Sequence, residues 1–214
     1  MLDLIKKYFP GLSLHQLEQF AALGPLYEEW NTKINVISRK DMHHFYEHHV
    51  LHSLSIASRF SFPENYHVMD LGSGGGLPGI PLAIFFPHVH FHMVDSIGKK
   101  LQVGNDISAK IGLKNTSTQH TRAEDINGQK FNMIISRAVA PLKDLWEWSF
   151  PLLEKSLKKD DKNYTQQGLI CLKGGDLKME IAQSGRHPQV WEIYQLFKED
   201  YFKDKYILFV RQTS

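Results

Sequence analysis

One stretch, Val68-Met69-Asp70-Leu71-Gly72-Ser73-Gly74-Gly75-Gly76-Leu77-Pro78-Gly79-Ile80-Pro81, constrains this chain more than any other feature. Residues 68–71 have strand character, the glycines permit a tight turn, and the run from about 77 to 86 has helical spacing. A strand that passes through glycines straight into a helix brings the backbone close to a bound group, with the free N–H groups of the helix start beside it. The turn is therefore read as a binding turn. A plain tight connection needs neither so many glycines nor an acid at the flanking strand ends.

Beyond the turn, short β-like runs alternate with helical ones, as in parallel strands joined by crossover helices. Strands are expected over 91–95, 116–120, 131–136, 168–172, 190–197 and 206–211, and helices over about 99–111 and 142–153. Residues 157–167 are polar and charged and are read as a loop. Only a short polar turn, 198–205, separates the last two strands, so they pair antiparallel, since a parallel return needs about a dozen residues or more. The expected fold class is α/β, a doubly wound, mostly parallel sheet that ends in an antiparallel hairpin.

Residues 1–62 differ from the rest in carrying helical spacing. Ser13 can cap a helix with Leu14, Leu17, Phe20, Ala21 and Leu23 or Gly24 on one side, and a second run over 41–60 spaces Phe45, Val50, Leu54 and Ala57 at helical intervals. Turn chemistry at Ser61-Phe62-Pro63-Glu64-Asn65 closes this part. The chain thus divides into an N-terminal helical extension, 1–62, and an α/β domain, 63–214.

With 214 residues, 42% of them hydrophobic, the chain can bury one sizeable α/β core beside that extension. Its net charge of +2 falls well short of the basic balance of a bare nucleic-acid binder. The single cysteine, Cys171, lies in an apolar run, which predicts an interior thiol and a reducing cytoplasm, and leaves no disulfide, zinc ribbon or thiolate-held iron–sulfur cluster to expect. No run approaches the roughly 20 apolar residues of a membrane span and no secretory leader is legible, so a soluble, unprocessed protein without a membrane partner is expected.

Formally the turn contains G-x-G-x-x-G at Gly74, Gly76 and Gly79, so its glycines alone do not choose between a nicotinamide dinucleotide and S-adenosylmethionine. Asp70 precedes Gly72, where a carboxylate suits a cationic methionyl amine better than a pyrophosphate. Asp95 ends the second strand and can accept hydrogen bonds from both ribose hydroxyls of an adenosine. Histidines 43, 44, 48, 49 and 52 crowd one segment with some metal-compatible spacings, but no acid or cysteine on the same face completes a set, so no metal is expected. His88, His90 and His92 alternate and read as a solvated strand edge.

Together with Val94-Asp95-Ser96, Gly98-Lys99-Lys100, Arg122-Ala123-Glu124-Asp125, Ile135-Ser136-Arg137-Ala138 and Leu172-Lys173-Gly174, the turn resembles the RsmG (GidB) family of 16S ribosomal RNA guanine-N7 methyltransferases, in order over about residues 30–210. The extension resembles it too, through Trp30-Asn31, Asn35-Val36-Ile37-Ser38-Arg39 and His48-His49-Val50-Leu51-His52-Ser53-Leu54, with His52 where the family usually has aspartate. The resemblance implies a class I S-adenosylmethionine-dependent methyltransferase fold. It implies that Gly72, Gly74 and Leu77 line the cofactor, that Asp95 holds its ribose, that Ala123 and Glu124 flank the adenine, and that Arg137 sits at the mouth, touching both cofactor and substrate. Lys173, Arg39 and His49 are implied on the substrate side.

The implied partner is 16S ribosomal RNA within a small-subunit particle, not DNA. Guanine N7 carries a free lone pair at neutral pH, so positioning suffices and no catalytic residue is singled out. Phosphate contacts are expected from scattered bases, namely Arg39, Lys99, Lys100, Arg122, Arg137, Lys173 and Arg211. Rival readings are a small-molecule or protein methyltransferase, a nicotinamide-dependent oxidoreductase, and a non-catalytic ribosome-binding module. Pro78 inside the turn counts against the oxidoreductase.

Overall fold

The computed structural model describes residues 2–137, 139–155 and 166–212. Ala138 and most of the expected polar loop, 157–165, lie outside the described residues. Two helices open the chain, α1 (Leu2–Tyr8) and α2 (Leu14–Asn31). Ser13 caps α2 as its sequence predicts: its hydroxyl accepts the Gln16 N–H while the Gln16 side chain accepts the Ser13 N–H, a reciprocal cap worth about 1 kcal/mol. The buried face is the expected one only at Phe20 and Leu23. Phe20, Leu23 and Tyr27 turn inward, whereas Leu14 is 81% exposed and Ala21 also faces solvent. The inward stripe is fixed by polar partners at its two ends, Gln16 Nε2 to the Ile84 carbonyl at 2.9 Å and Trp30 Nε1 to Asp106 at 2.7 Å.

The run over 41–60 is not one helix. It breaks into a 3₁₀ turn (Met42–His44), a π-helix (Phe45–Leu51), a single α turn, α3 (His52–Leu54), and a second 3₁₀ turn (Ile56–Ser58). Phe45 and Val50 are both buried, and their separation by five residues is the repeat that a π-helix brings onto one face.

The remainder alternates as expected: β1 (His67–Leu71), α4 (Gly79–Phe85), β2 (His90–Asp95), α5 (Gly98–Lys110), β3 (Thr116–His120), β4 (Met133–Arg137), α6 (Leu142–Ser149), β5 (Gly168–Gly174), α7 (Lys178–Ser184), β6 (Gln189–Glu192) and β7 (Lys205–Arg211). The sheet order is β3-β2-β1-β4-β5-β7-β6, with β1 to β5 parallel and β7 antiparallel to both β5 and β6. Alternate residues of each strand enter opposite cores. Val68, Met133, Ile135 and Ile170 join the side covered by the N-terminal helices, α4 and α5, while Met69, Ile134, Leu169 and Cys171 join the side of α6. Burial pushes the Cys171 thiol up to about 12, as an interior thiol requires.

Other differences have local causes. The helix expected over 142–153 ends at Ser149, because Pro151 lies in the 3₁₀ turn that follows and cannot donate a helical hydrogen bond. The strand expected over 190–197 stops at Glu192, and a 3₁₀ turn (Ile193–Gln195) then delivers Ile193 and Phe197 to the core, where the Phe197 ring meets Tyr8 at 4.6 Å. His90 and His92 do not sit on a solvated edge. β3 covers β2, and both imidazoles share the Ser117 hydroxyl at 2.8 Å. No helix among the described residues is long and apolar enough to cross a membrane.

Candidate active site

The strand order reverses between β1 and β4, so the crossovers on either side leave a crevice above the carboxyl ends of these strands. The glycine turn forms its floor. Gly72 and Gly74 have φ of 70° and 55°, in the left-handed region, and a Cβ on Gly72 would lie 2.3 Å from Val139 Cγ2. The N–H groups of Gly72 and Ser73 both reach the Val94 carbonyl, at 2.8 and 3.1 Å, which ties the turn to β2. Asp95 completes the tie: its Oδ2 accepts the Gly74 N–H and its Oδ1 the Ile97 N–H, each at 2.8 Å. Each oxygen keeps a lone pair for a ligand.

Asp70 is used differently. It is fully buried beneath the turn, with Oδ2 accepting the Gly79 N–H at 2.8 Å and Oδ1 unpartnered. Burial pushes its carboxyl up to about 7, against the Gly79 hydrogen bond and the charge of Arg137. The sequence expectation that Asp70 faces a methionyl amine is therefore corrected, because it does not line the cavity and instead pins the start of α4.

Above the turn lies a cavity of about 510 Å³. Gly72, Gly74, Leu77, Asp95, Ala123, Glu124 and Arg137, the seven residues expected around a cofactor, all line it. Val36, Ile97, Val139 and Trp148 line it as well and were not anticipated, and Lys100 and Arg122, expected at RNA phosphates, line it too. Ile97 and Val139 each stand two residues beyond a strand-end residue of the site, a spacing that could have marked them; both remain more than 40% exposed, apolar walls without a partner. Ser73 Oγ is buried without a hydrogen bond, a loss of about 1–3 kcal/mol unless a ligand supplies one.

The extension closes one side. Tyr27 donates its hydroxyl to the Gly75 carbonyl at 2.8 Å, and Val36 packs so closely that a Cβ on Gly75 would lie 2.3 Å from its Cγ1. Asn31 holds that segment in place, its Oδ1 accepting the N–H groups of Val36 and Ile37 at 2.9 and 3.0 Å.

Arg137, at the last position of β4, also lines a second cavity of about 430 Å³ with His49 and Lys173. Lys173 is engaged there, paired with Glu180 at 2.7 Å and donating to the Ala140 carbonyl. His48 and His49 grip the two oxygens of Asp41, each at 2.5 Å, and burial pushes the His49 imidazole down to about 4, with Arg137 adding to the effect and Asp41 opposing it. Arg39 is exposed and lines neither cavity. The Tyr-x-x-x-Lys spacing of a nicotinamide reductase occurs twice, at Tyr194/Lys198 and Tyr201/Lys205, yet each lysine lies over the tyrosine ring of its own pair, and neither pair lines the cavity above the turn.

The family described as rRNA small subunit methyltransferase G matches the chain over residues 14–201. The chain is 50% identical over 209 residues to the ribosomal RNA small subunit methyltransferase G of Phocaeicola vulgatus, covering 98% of each, and 49% identical to that of Parabacteroides distasonis, covering 97% of this chain and 88% of the relative. Among solved structures it resembles a SAM-dependent methyltransferase from Aquifex aeolicus (TM-score 0.53, 13% identity, 75% of this chain and 89% of that one). It also resembles a ribosomal protein L11 methylase from Lactobacillus delbrueckii (TM-score 0.54, 16% identity, 76% and 78%). At such identities these two likenesses concern the fold alone.

Proposed function

Because the chain belongs to the rRNA small subunit methyltransferase G family, we propose that it transfers a methyl group from S-adenosyl-L-methionine to N7 of a guanosine in 16S ribosomal RNA, taken within a small-subunit particle. The observation that carries this reading is the meeting of seven separately placed residues in one cavity at the strand reversal. The donor set fits the cofactor: left-handed glycines that let backbone approach it, an orphaned Ser73 hydroxyl, and a carboxylate at Asp95 with lone pairs free for a ribose. Ala123 and Glu124 would border the adenine, and Ile97 would cover one of its faces. When bound, the cofactor supplies an electrophilic methyl on a sulfonium.

The protein's own work is then placement. Guanine N7 needs no proton removed, so the nucleophile must only be brought in line, an effect worth several kcal/mol (roughly 7–11 at its upper end). Arg137 is placed for this because it borders both cavities and, among the described residues, its guanidinium forms no hydrogen bond or ion pair. His49 and Asp41 shape the entrance beside it, while Lys173 holds the Ala140 carbonyl and so steadies the segment after Arg137. Residues 1–62 act as an extension that completes the site, and 63–214 as the methyltransferase domain. Ribosomes are assembled in the cytoplasm, which is where this reading puts the protein, with neither DNA nor membrane as partner.

Mapping N7-methylguanosine in 16S RNA from cells with and without the protein tests the assignment, and a site that persists without it removes the proposal. In vitro, small-subunit particles should accept methyl groups where metabolites do not. Arg137→Ala should abolish most transfer while keeping most cofactor affinity. Wild-type transfer by that variant would take Arg137 out of the site.

A further inference from the structure

The second cavity bordered by Arg137 is built from β4, β5, the start of β7, Tyr201 and the π-helical segment. Its lining carries Arg137 and Lys205, the Glu180-paired Lys173 and three imidazoles, and no carboxylate. The acids nearby are already engaged, Asp41 by His48 and His49, Glu180 by Lys173, and Glu47 by the far nitrogen of His48 at 3.8 Å. A concave set of donors without an acid is complementary to an anion that offers several acceptor oxygens.

Two buried atoms point the same way. His52 is only 5% exposed, yet its Nε2 has no hydrogen-bond partner, and Nδ1 of His49 is likewise buried and unpaired. Burial holds the His52 imidazole well below its ordinary range, with Arg137 and Lys205 adding to the effect, so it offers a directional hydrogen bond while the charge comes from Arg137 and Lys205. Tyr201 fixes the arrangement: its ring stacks on His48 at 3.7 Å, meets His52 edge-on at 5.8 Å, and carries the Lys205 ammonium 5.0 Å above it.

We propose that this cavity is a phosphate subsite, in which His52, Lys205 and Arg137 seat a backbone phosphate of the RNA beside the target nucleotide. Arg137, shared by the two cavities, then links phosphate seating to entry of the base. The assignment to RNA rests on the function proposed above, whereas the affinity for phosphate does not.

The test uses the full-length, nitrogen-15-labelled protein saturated with S-adenosylhomocysteine. Inorganic phosphate, guanosine 5′-monophosphate and guanosine are titrated in turn, at ionic strength held constant with chloride, while the imidazole nitrogens of His49 and His52 are followed by long-range proton–nitrogen NMR. Phosphate and the monophosphate should shift the His52 signals saturably, and guanosine should not. His52→Phe and Lys205→Gln should each weaken monophosphate binding by roughly tenfold, the loss of one hydrogen bond to a charged group, and leave S-adenosylhomocysteine affinity unchanged. In methyl transfer to small-subunit particles, Lys205→Gln should raise KM for the particle and spare kcat. Absence of a phosphate-dependent shift, or an equal shift with guanosine, overturns the subsite. Phosphate binding that does not compete with the particle for methyl transfer overturns its assignment to RNA. If the wild-type protein methylates no small-subunit RNA, the proposed function fails, and the titration still decides whether the cavity takes phosphate.

Discussion

Asp95 and Asp70 both stand at the ends of strands beside the glycine turn, and their surroundings set them apart. Asp95 lies in the cavity with two backbone N–H partners, so Asp95→Ala should weaken S-adenosylhomocysteine binding in calorimetry by roughly 1–3 kcal/mol, through loss of charge-assisted hydrogen bonds. Unchanged affinity would place the ribose contact elsewhere. Asp70 is a matter of stability. An unfolded aspartate titrates near about 3.9, and burial pushes Asp70 up to about 7 in the folded chain. The folded state therefore binds the proton more tightly, and Asp70's contribution to stability is intact below about pH 4 and lost as pH rises through about 7. Asp70→Asn keeps an oxygen for the Gly79 N–H and should flatten the fall in urea midpoint between about pH 4 and 7. Parallel pH profiles for variant and parent would contradict this.

At the scale of elements, the extension and the turn behave as one unit. Tyr27 reaches the Gly75 carbonyl from α2, and its ring packs on Phe45 at 4.9 Å. Tyr27→Phe keeps that packing and removes the hydrogen bond. It should cost about 0.5–1.5 kcal/mol of stability and lower S-adenosylhomocysteine affinity several-fold, read by thermal unfolding and by calorimetry. A variant with full affinity would show that the turn needs no support from α2. The unit from β1 through the turn to α4 was legible because its signals are local: a strand pattern, glycines with φ above zero, and helical spacing. The segment 41–60 was not, because its apolar residues mix intervals of five, four and three, and only the four- and three-residue steps suit an α-helix, so neighbours choose the helix type. Here the choice follows Asp41, which draws two successive histidines, 48 and 49, toward one carboxylate.

At the scale of the whole molecule, a modest net charge of +2 conceals a concentrated site, since Arg137, Lys173 and Lys205 converge on one cavity. If about three phosphates are contacted there and nearby, KM for a ribosomal substrate should rise roughly 20- to 40-fold between about 50 and 200 mM salt, because counterions are released on binding. S-adenosylhomocysteine affinity should change far less, and parallel salt dependences of the two would argue against phosphate contacts.

The sequence by itself determined the alternation of strands and helices, the antiparallel close of the sheet and the strand-end part of the lining of the cavity above the turn. Parallel strands bring their carboxyl ends to one edge, so Gly72, Asp95 and Arg137, each at or just past a strand end, had to meet once the strands were placed. Only the tertiary structure decided which stripe of α2 is buried, how Tyr27 and Val36 close on Gly75, and that His52, Lys205 and Arg137 share a cavity. His48 and Tyr201 are 153 residues apart, and no periodicity links them. Their contact follows from the π-helical segment and the 3₁₀ turn before β7 (Asp200–Phe202) packing against each other, a result of long-range packing that no local pattern records.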